Sequence, residues 1–307
     1  MKGTQTEKSV KKMTFERKRT ITGACFLLPS AILCMIFMIV PLIDIFRYSV
    51  YEWNGIGSNM KFVGLANFLR LPSTEGFWDM AKATVIYVVG DTVLVIVIAF
   101  LLALVLDLKG KGRINRNFLR AMWFVPCLLS GAIVGILWRI MYNYNNGLIN
   151  TLLGYLHLPK VNWLETYGVT MGAVIVASIW CQIGMCTIIF LAGLQSIPED
   201  LLEVARIDGA SYFQQLRKIV IPMMASSITI NVITTTIAAF KAYELPYLVS
   251  NGLPGYSTRL LTERIYFYGF KAMDYGTASA LSVVLIIIIT LISLLQLVVL
   301  KRREDIY

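Results

Sequence analysis

The sequence predicts an all-α protein that crosses a lipid bilayer six times, and three observations carry that expectation. Hydrophobic residues make up 57% of the chain and charged residues only 15%, which is too apolar for a surface facing water on every side. Six apolar segments reach spanning length, about 20 helical residues for a hydrocarbon core roughly 30 Å thick. Helix also pairs each backbone group within its own segment, as lipid demands. Basic residues gather in short clusters between these segments. The net charge of +10 therefore builds no continuous face of the kind that binds nucleic acid.

The first span is placed at Ile21 to Phe46, behind a basic tail of residues 1–20 that carries Lys2, Lys8, Lys11, Lys12, Arg17, Lys18 and Arg19. A secretory signal has a shorter apolar region and a small-residue cleavage site, so an uncleaved span is the better reading. The others are placed at Ala83 to Leu106, Leu119 to Met141, Val169 to Leu191, Met224 to Phe240 and Thr277 to Leu300. Residues 21–307 read as one membrane domain, without a low-complexity linker or a strong internal repeat.

Basic residues accumulate in cytoplasmic loops. The N-terminal tail, the Asp107 to Arg120 loop, the Gly193 to Pro222 loop and the C-terminal Lys301, Arg302 and Arg303 hold 18 of the 28 Lys and Arg residues. With six spans this places both termini in the cytoplasm. The outside loops are then Arg47 to Lys82, Tyr142 to Gly168 and Lys241 to Gly276, where Trp53, Trp78, Tyr142, Tyr144 and Trp163 suit the membrane–water interface.

Metal and histidine chemistry find little support. Cys25, Cys34, Cys127, Cys181 and Cys186 all fall in apolar runs, and the single histidine, His157, lies in a loop; no C-x-x-C pair suggests zinc. The chain also has no G-x-x-x-x-G-K-S/T loop for ATP hydrolysis.

The loop at 193–222 reads as two short helices. Ser196 and Glu199 form an S-x-x-E capping pattern with Pro198 in the first turn. Gly209 then follows as a C′ residue that turns the chain through left-handed geometry. Ser211 and Gln214 offer a second cap, and Pro222 marks the start of the fifth span.

Glu203-Val204-Ala205, then Gly209, then Ile219, Ile221 and Pro222 resemble the E-A-A-x3-G-x9-I-x-L-P signature of permease subunits in bacterial ATP-binding-cassette importers. Val204 stands where that pattern has alanine and Ile221 where it has leucine. Phe62 to Phe68 resembles the F-V-G-L-x-N-Y segment of the carbohydrate-uptake branch. Gly147 to Asn150 with Trp163-Leu164, and Ile207 to Ala210, resemble further parts of it. Ser250 to Pro254 with Ser257-Thr258 looks like its T-x-G-G-P-x-x-x-T segment, with Ser250 and Leu253 as departures.

The resemblance implies a six-helix type I importer permease in the bacterial cell membrane, pairing with a second, distinct permease subunit. It implies a dimeric ATPase partner that binds ATP and Mg, this chain holding no cofactor, and an extracellular solute-binding protein that delivers a carbohydrate, an oligosaccharide by expectation. Glu203, Ala205, Asp208, Gly209, Ile219 and Pro222 would then couple the spans to the ATPase. An inert amphipathic loop is the rival reading of that helix pair.

Ser227, Asn231, Thr234 and Ala238 recur at helical spacing in the fifth span. Such a polar stripe could line a sugar path, or could pack against neighbouring helices; both readings stand. Asp91 and Gln182 carry the same two readings, with packing favoured for Asp91; Trp180 is a further residue that could face the path. Lys241, Tyr243 and Glu244, at the outer end of the fifth span, are read as solvated or mutually paired, or as a contact for the binding protein. An ion-coupled secondary transporter is the alternative class, but it would be expected to show paired intramembrane carboxylates, and Asp91 stands nearly alone. A membrane enzyme would need a nucleophile or acid–base cluster, and the spans carry none.

Overall fold

The computed structural model describes residues 3–57, 59–107 and 116–304; the basic stretch 108–115 between the second and third expected spans lies outside them. Helix α1 (Gly3–Cys34) runs without a break from the basic tail into the first span. A π-helical turn at Met35–Ile39 joins it to α2 (Val40–Tyr48). Pro41 explains that turn, because its ring crowds the carbonyl four residues back and it supplies no N–H. The spanning stretch of this first helix is unburied, and α2 packs against the last helix of the chain.

A short antiparallel pair, β1 (Tyr51–Glu52) and β2 (Lys61–Phe62), pairs Tyr51 with Phe62 and is followed by α3 (Ala66–Arg70). Buried Asn67 donates to the carbonyls of Ser49 and Tyr51, both at 2.9 Å, tying α3 to the end of α2. The second span is α4 (Phe77–Asp107). It packs along α8 (Val169–Gln195), the fourth span, around a core that includes Tyr87, Val95, Ala99, Ala103, Val174 and Phe190.

The third span departs from the straight helix expected over Leu119 to Met141. It is built from α5 (Arg116–Phe124) and α6 (Gly131–Met141), and the two halves bend by 100°. Pro126 confines the break to a 3₁₀ turn, and Ser130 leaves the helical region (ψ 148°) to cap α6, accepting from the Ile133 N–H. A serine-capped restart after proline is a helix end followed by a helix start.

Helix α7 (Leu148–Tyr155) lies in the next loop. There Asn150 donates to the carbonyls of Tyr144 and Val161 and accepts from the Val161 N–H and Trp163 Nε1. Tyr142, expected at the water interface, is instead a core residue with 3% exposure, its hydroxyl donating to the Ala173 carbonyl. A ring that finds an internal acceptor can be buried whole.

After α8 come α9 (Glu199–Ile207), α10 (Tyr212–Gln215), a π-helical turn at Leu216–Val220 and α11 (Ile221–Met223). The fifth span continues as α12 (Ala225–Phe240), bent by 68° from the segment Tyr212–Met223. Pro222 thus sits two residues before the bend, at the entry to the fifth span.

On the far side α13 (Glu244–Ser250) packs against α6 and α8, so part of a loop expected to be solvated is core. Helix α14 (Leu261–Tyr266), a π-helical turn at Phe267–Lys271 and the last span α15 (Tyr275–Glu304) complete the chain. Among the described residues four helices are long and apolar enough to cross a membrane, or six when each bent pair counts as one span.

Candidate functional site

Two regions gather the chemistry that the sequence singled out. The first is the α9–α10 pair. Ser196 does not cap α9. Its N–H closes α8 onto the carbonyls of Ala192 and Gly193, and its Oγ donates to Gly193 at 2.8 Å. The reason is local: a residue before proline avoids helical geometry, so Ile197 cannot be the first helical residue. Pro198 (ψ 126°) takes the N-cap position instead.

The other end of α9 has the predicted turn. Gly209 adopts φ +81°. Its N–H donates to the Arg206 carbonyl at 3.0 Å, and the Ala210 N–H donates to the Ala205 carbonyl at 2.9 Å. These two bonds are the Schellman pair that ends a helix in left-handed geometry. Ser211 and Gln214 then form both halves of a capping box. The resulting elbow is rigid at both helix ends and turns at one glycine.

The pair presents an apolar outer face: Leu201, Val204, Ile207, Tyr212 and Phe213 are exposed, Ile207 by 79%. Glu203 and Asp208 are exposed beside them, while Ala205, Ile219 and Pro222 are half-buried. Exposed apolar residues this dense mark an interaction surface. Behind the pair, a cavity of about 480 Å³ is lined by Leu104 and Asp107 of α4, Leu194 of α8, and Leu202, Arg206 and Gln215 of the elbow. The elbow is thus set off from the span ends by open space, a link the sequence does not reveal.

The second region is the expected polar stripe, which divides. Thr234 and Ala238 are exposed, with the Thr234 hydroxyl donating back to the Ile230 carbonyl at 2.7 Å. Ser227 is half-buried against Gly193 of α8, where a Cβ on Gly193 would meet the serine hydroxyl. Asn231 turns inward: it is fully buried, and its amide donates to the Cys186 carbonyl of α8 at 3.2 Å. The four residues share one side of α12 but not one open face, because the part of that side with Ser227 and Asn231 packs against α8 and the part with Thr234 and Ala238 does not.

Asp91 is likewise fully buried. The Gln182 amide donates to Asp91 Oδ2 at 3.2 Å and to Ser178 Oγ at 2.7 Å, and Ser178 Oγ lies 2.9 Å from the Tyr87 hydroxyl. This network ties α4 to α8 at mid-span, and Ser178 and Tyr87 are partners that spacing alone did not reveal. Buried polar groups require such partners.

Asn231→Leu is expected to lower the thermal midpoint of the assembled complex by a few degrees and to leave sugar KM unchanged. An interhelical bond in a membrane contributes on the order of 0.6–2 kcal/mol. A raised KM with an unshifted midpoint would put Asn231 in the path instead.

At the outer end, Lys241 and Glu244 are exposed and form no ion pair with each other. Tyr243 stacks between Tyr247 (centroids 5.7 Å) and Tyr266 (4.9 Å). Desolvation, with Tyr266, Tyr247, Glu263 and Glu244 adding repulsion, pushes the Tyr243 phenol up to about 12.

Residues 83–305 match the family described as "Binding-protein-dependent transport system inner membrane component". The chain is 32% identical to the trehalose/maltose transport system permease protein MalF of Thermococcus litoralis, over 92% of this chain and 95% of that protein. It is 33% identical to the multiple sugar-binding transport system permease protein MsmF of Streptococcus mutans, over 92% and 96% respectively. Its fold superposes with a TM-score of 0.83 and 23% identity on a chain of a bacterial alginate ABC transporter solved with an alginate pentasaccharide-bound periplasmic protein, covering 94% of this chain and 97% of that one. The family match across most of the spans, with relatives of this identity along nearly the whole length, makes this chain a member of the binding-protein-dependent transport system inner membrane components.

Proposed function

We propose that this chain is one of two permease subunits in an ATP-driven importer of a carbohydrate, an oligosaccharide by the names of its relatives. The α9–α10 elbow is the observation that carries the reading. It is a short helix pair, fixed at Gly209, with an apolar face exposed at the ends of the spans and open space behind it. A coupling element needs contacts that differ between two states, and a rigid pair seated over a cavity can be displaced as a unit.

In this reading an ATPase dimer binds ATP and Mg and grips Leu201, Val204, Ile207 and the acids Glu203 and Asp208. Its closure drives the elbow against the ends of α4 and α8. A solute-binding protein hands the sugar to the opposite face. The elbow and both termini lie in the cytoplasm, and the membrane is the bacterial cell membrane. Relatives named for trehalose, maltose and multiple sugars support the substrate class.

Purified complex in liposomes, supplied with its binding protein, is expected to accumulate ¹⁴C-labelled maltose, trehalose or maltotriose only when ATP is present on the elbow's side. Glu203→Lys is expected to reduce ATPase co-purification several-fold and to reduce uptake in step. Uptake by this chain alone, driven by a proton or sodium gradient, would sink the reading, as would ATPase yield indifferent to Glu203.

A further inference from the structure

Helix α9 has two faces of different character. Leu201, Val204 and Ile207 make up its exposed apolar side. Glu199, Leu202 and Arg206 fall on the other side, at helical positions i, i+3 and i+7, and all three line the cavity between the elbow and the span ends. The same cavity is lined by Asp107, the last residue of α4. A guanidinium on the elbow and a carboxylate on a span thus border one space of about 480 Å³, yet among the described residues no ion pair joins them.

Both backbones are held in place. The Arg206 carbonyl accepts from the Gly209 N–H at 3.0 Å, inside the turn that ends α9, and Asp107 closes a helix that runs unbroken from Phe77. A lasting change in the gap between the two charges therefore requires the elbow to move against the spans. Glu199, the other acid on the cavity, cannot take that part. It sits on α9 itself, two turns or about 10 Å along the axis from Arg206, and that spacing stays the same wherever the elbow goes. Leu104, Leu194 and Leu202 give the cavity apolar walls. Such walls shed water as the space narrows, and the attraction of opposite charges rises as the local dielectric falls.

We propose that Asp107 and Arg206 form an ion pair only when the ATPase closes, holding the elbow against the end of α4 in that state and parting each time the elbow returns. The inference rests on the importer reading and adds two positioning residues to the coupling element, one of them on a span. Neither belongs to the signature positions of the loop. A contact made in one state and absent in the other biases the equilibrium between them, whereas a pair present throughout would shift nothing. Arginine suits the task because its planar fork meets a carboxylate through two parallel bonds.

Two measurements on the complete transporter test the pair. In the liposome assay Asp107→Arg and Arg206→Asp are each expected to lower ATP-dependent uptake about fivefold or more, with the ATPase co-purifying at wild-type yield because the outer face of α9 is untouched. Combining the two restores the pair in reverse, and uptake should recover most of the loss. A double variant as impaired as the single ones overturns the proposal. The double variant Asp107→Cys/Arg206→Cys gives a readout that does not depend on charge. A short methanethiosulfonate cross-linker should join positions 107 and 206, with the linkage identified by mass spectrometry, several-fold faster in the ATP–vanadate-trapped complex than in the nucleotide-free one. Equal rates in the two states overturn the proposal. An ATPase yield indifferent to Glu203, together with uptake that needs no ATP, removes the importer reading and this pair with it. Where both of those controls behave as expected and the cross-link ignores nucleotide, the pair alone falls.

Discussion

Gly209→Val is expected to abolish ATP-dependent sugar uptake while leaving the protein inserted and assembled. The glycine holds φ +81°, and a Cβ added there would meet nothing within 4 Å. The penalty is therefore one of backbone geometry alone. Left-handed conformation costs an L-residue roughly 1–2 kcal/mol, more for a β-branched side chain. The least strained response is for residue 209 to leave that conformation. Doing so breaks the two bonds that fix the end of α9, from Gly209 to Arg206 and from Ala210 to Ala205, and swings α9 away from α10. The elbow would then no longer transmit closure, so ATP hydrolysis should persist without transport. Gly209→Asn is the control, because asparagine tolerates left-handed geometry and should keep most of the uptake. Normal uptake by the valine variant would show that the elbow's shape is irrelevant to coupling.

Gly184→Ala is expected to be strongly destabilising although it adds only one methyl group. Alanine normally favours helix over glycine by about 1 kcal/mol, so in a free helix the change would stabilise. Here a Cβ would collide with the Trp123 carbonyl oxygen and lie 2.9 Å from the Phe124 Cα. Both are backbone atoms that no rotamer change can move aside. Helices α8 and α5 would have to separate, at a cost of roughly 1–3 kcal/mol or more for overpacking. The expected result is a sharp fall in membrane yield and in the thermal midpoint. Gly172→Ala on the same helix supplies the comparison: nothing lies within 4 Å of its added Cβ, and the variant should match or exceed wild-type stability. Equal behaviour of the two variants would mean that close approach at Gly184 is not what seats the third span.

How far each feature was legible depends on the range of the interactions behind it. The turn at Gly209 and the box at Ser211 and Gln214 depend on residues within five positions of one another, and the structure has both. The cap expected at Ser196 is not formed, although it lies within the same range, because Pro198 keeps Ile197 out of helical geometry and itself becomes the N-cap. The break in the third span was marked by Pro126, Ser130 and Gly131, but apolar composition alone does not distinguish a straight span from a bent one.

The polar stripe of α12 is a different case. Helical periodicity gave its members a common side but not a neighbour. Asn231 bonds to α8 while Thr234 stays open, because the crossing of α12 over α8 selects one and not the other. A carboxylate in a span needs an internal partner, yet for Asp91 the partner Gln182 lies 91 positions away along the chain.

By itself the sequence determined the solvent, the number of apolar segments and the position of the hinge glycine, since hydrocarbon thickness and backbone sterics act on short stretches without regard to the rest of the chain. Only the tertiary structure decided which polar side chains are consumed within the bundle and which remain available. Asp91 is satisfied and Thr234 stays exposed because helix packing brings neighbours to the first and withholds them from the second, and no local pattern encodes that distribution.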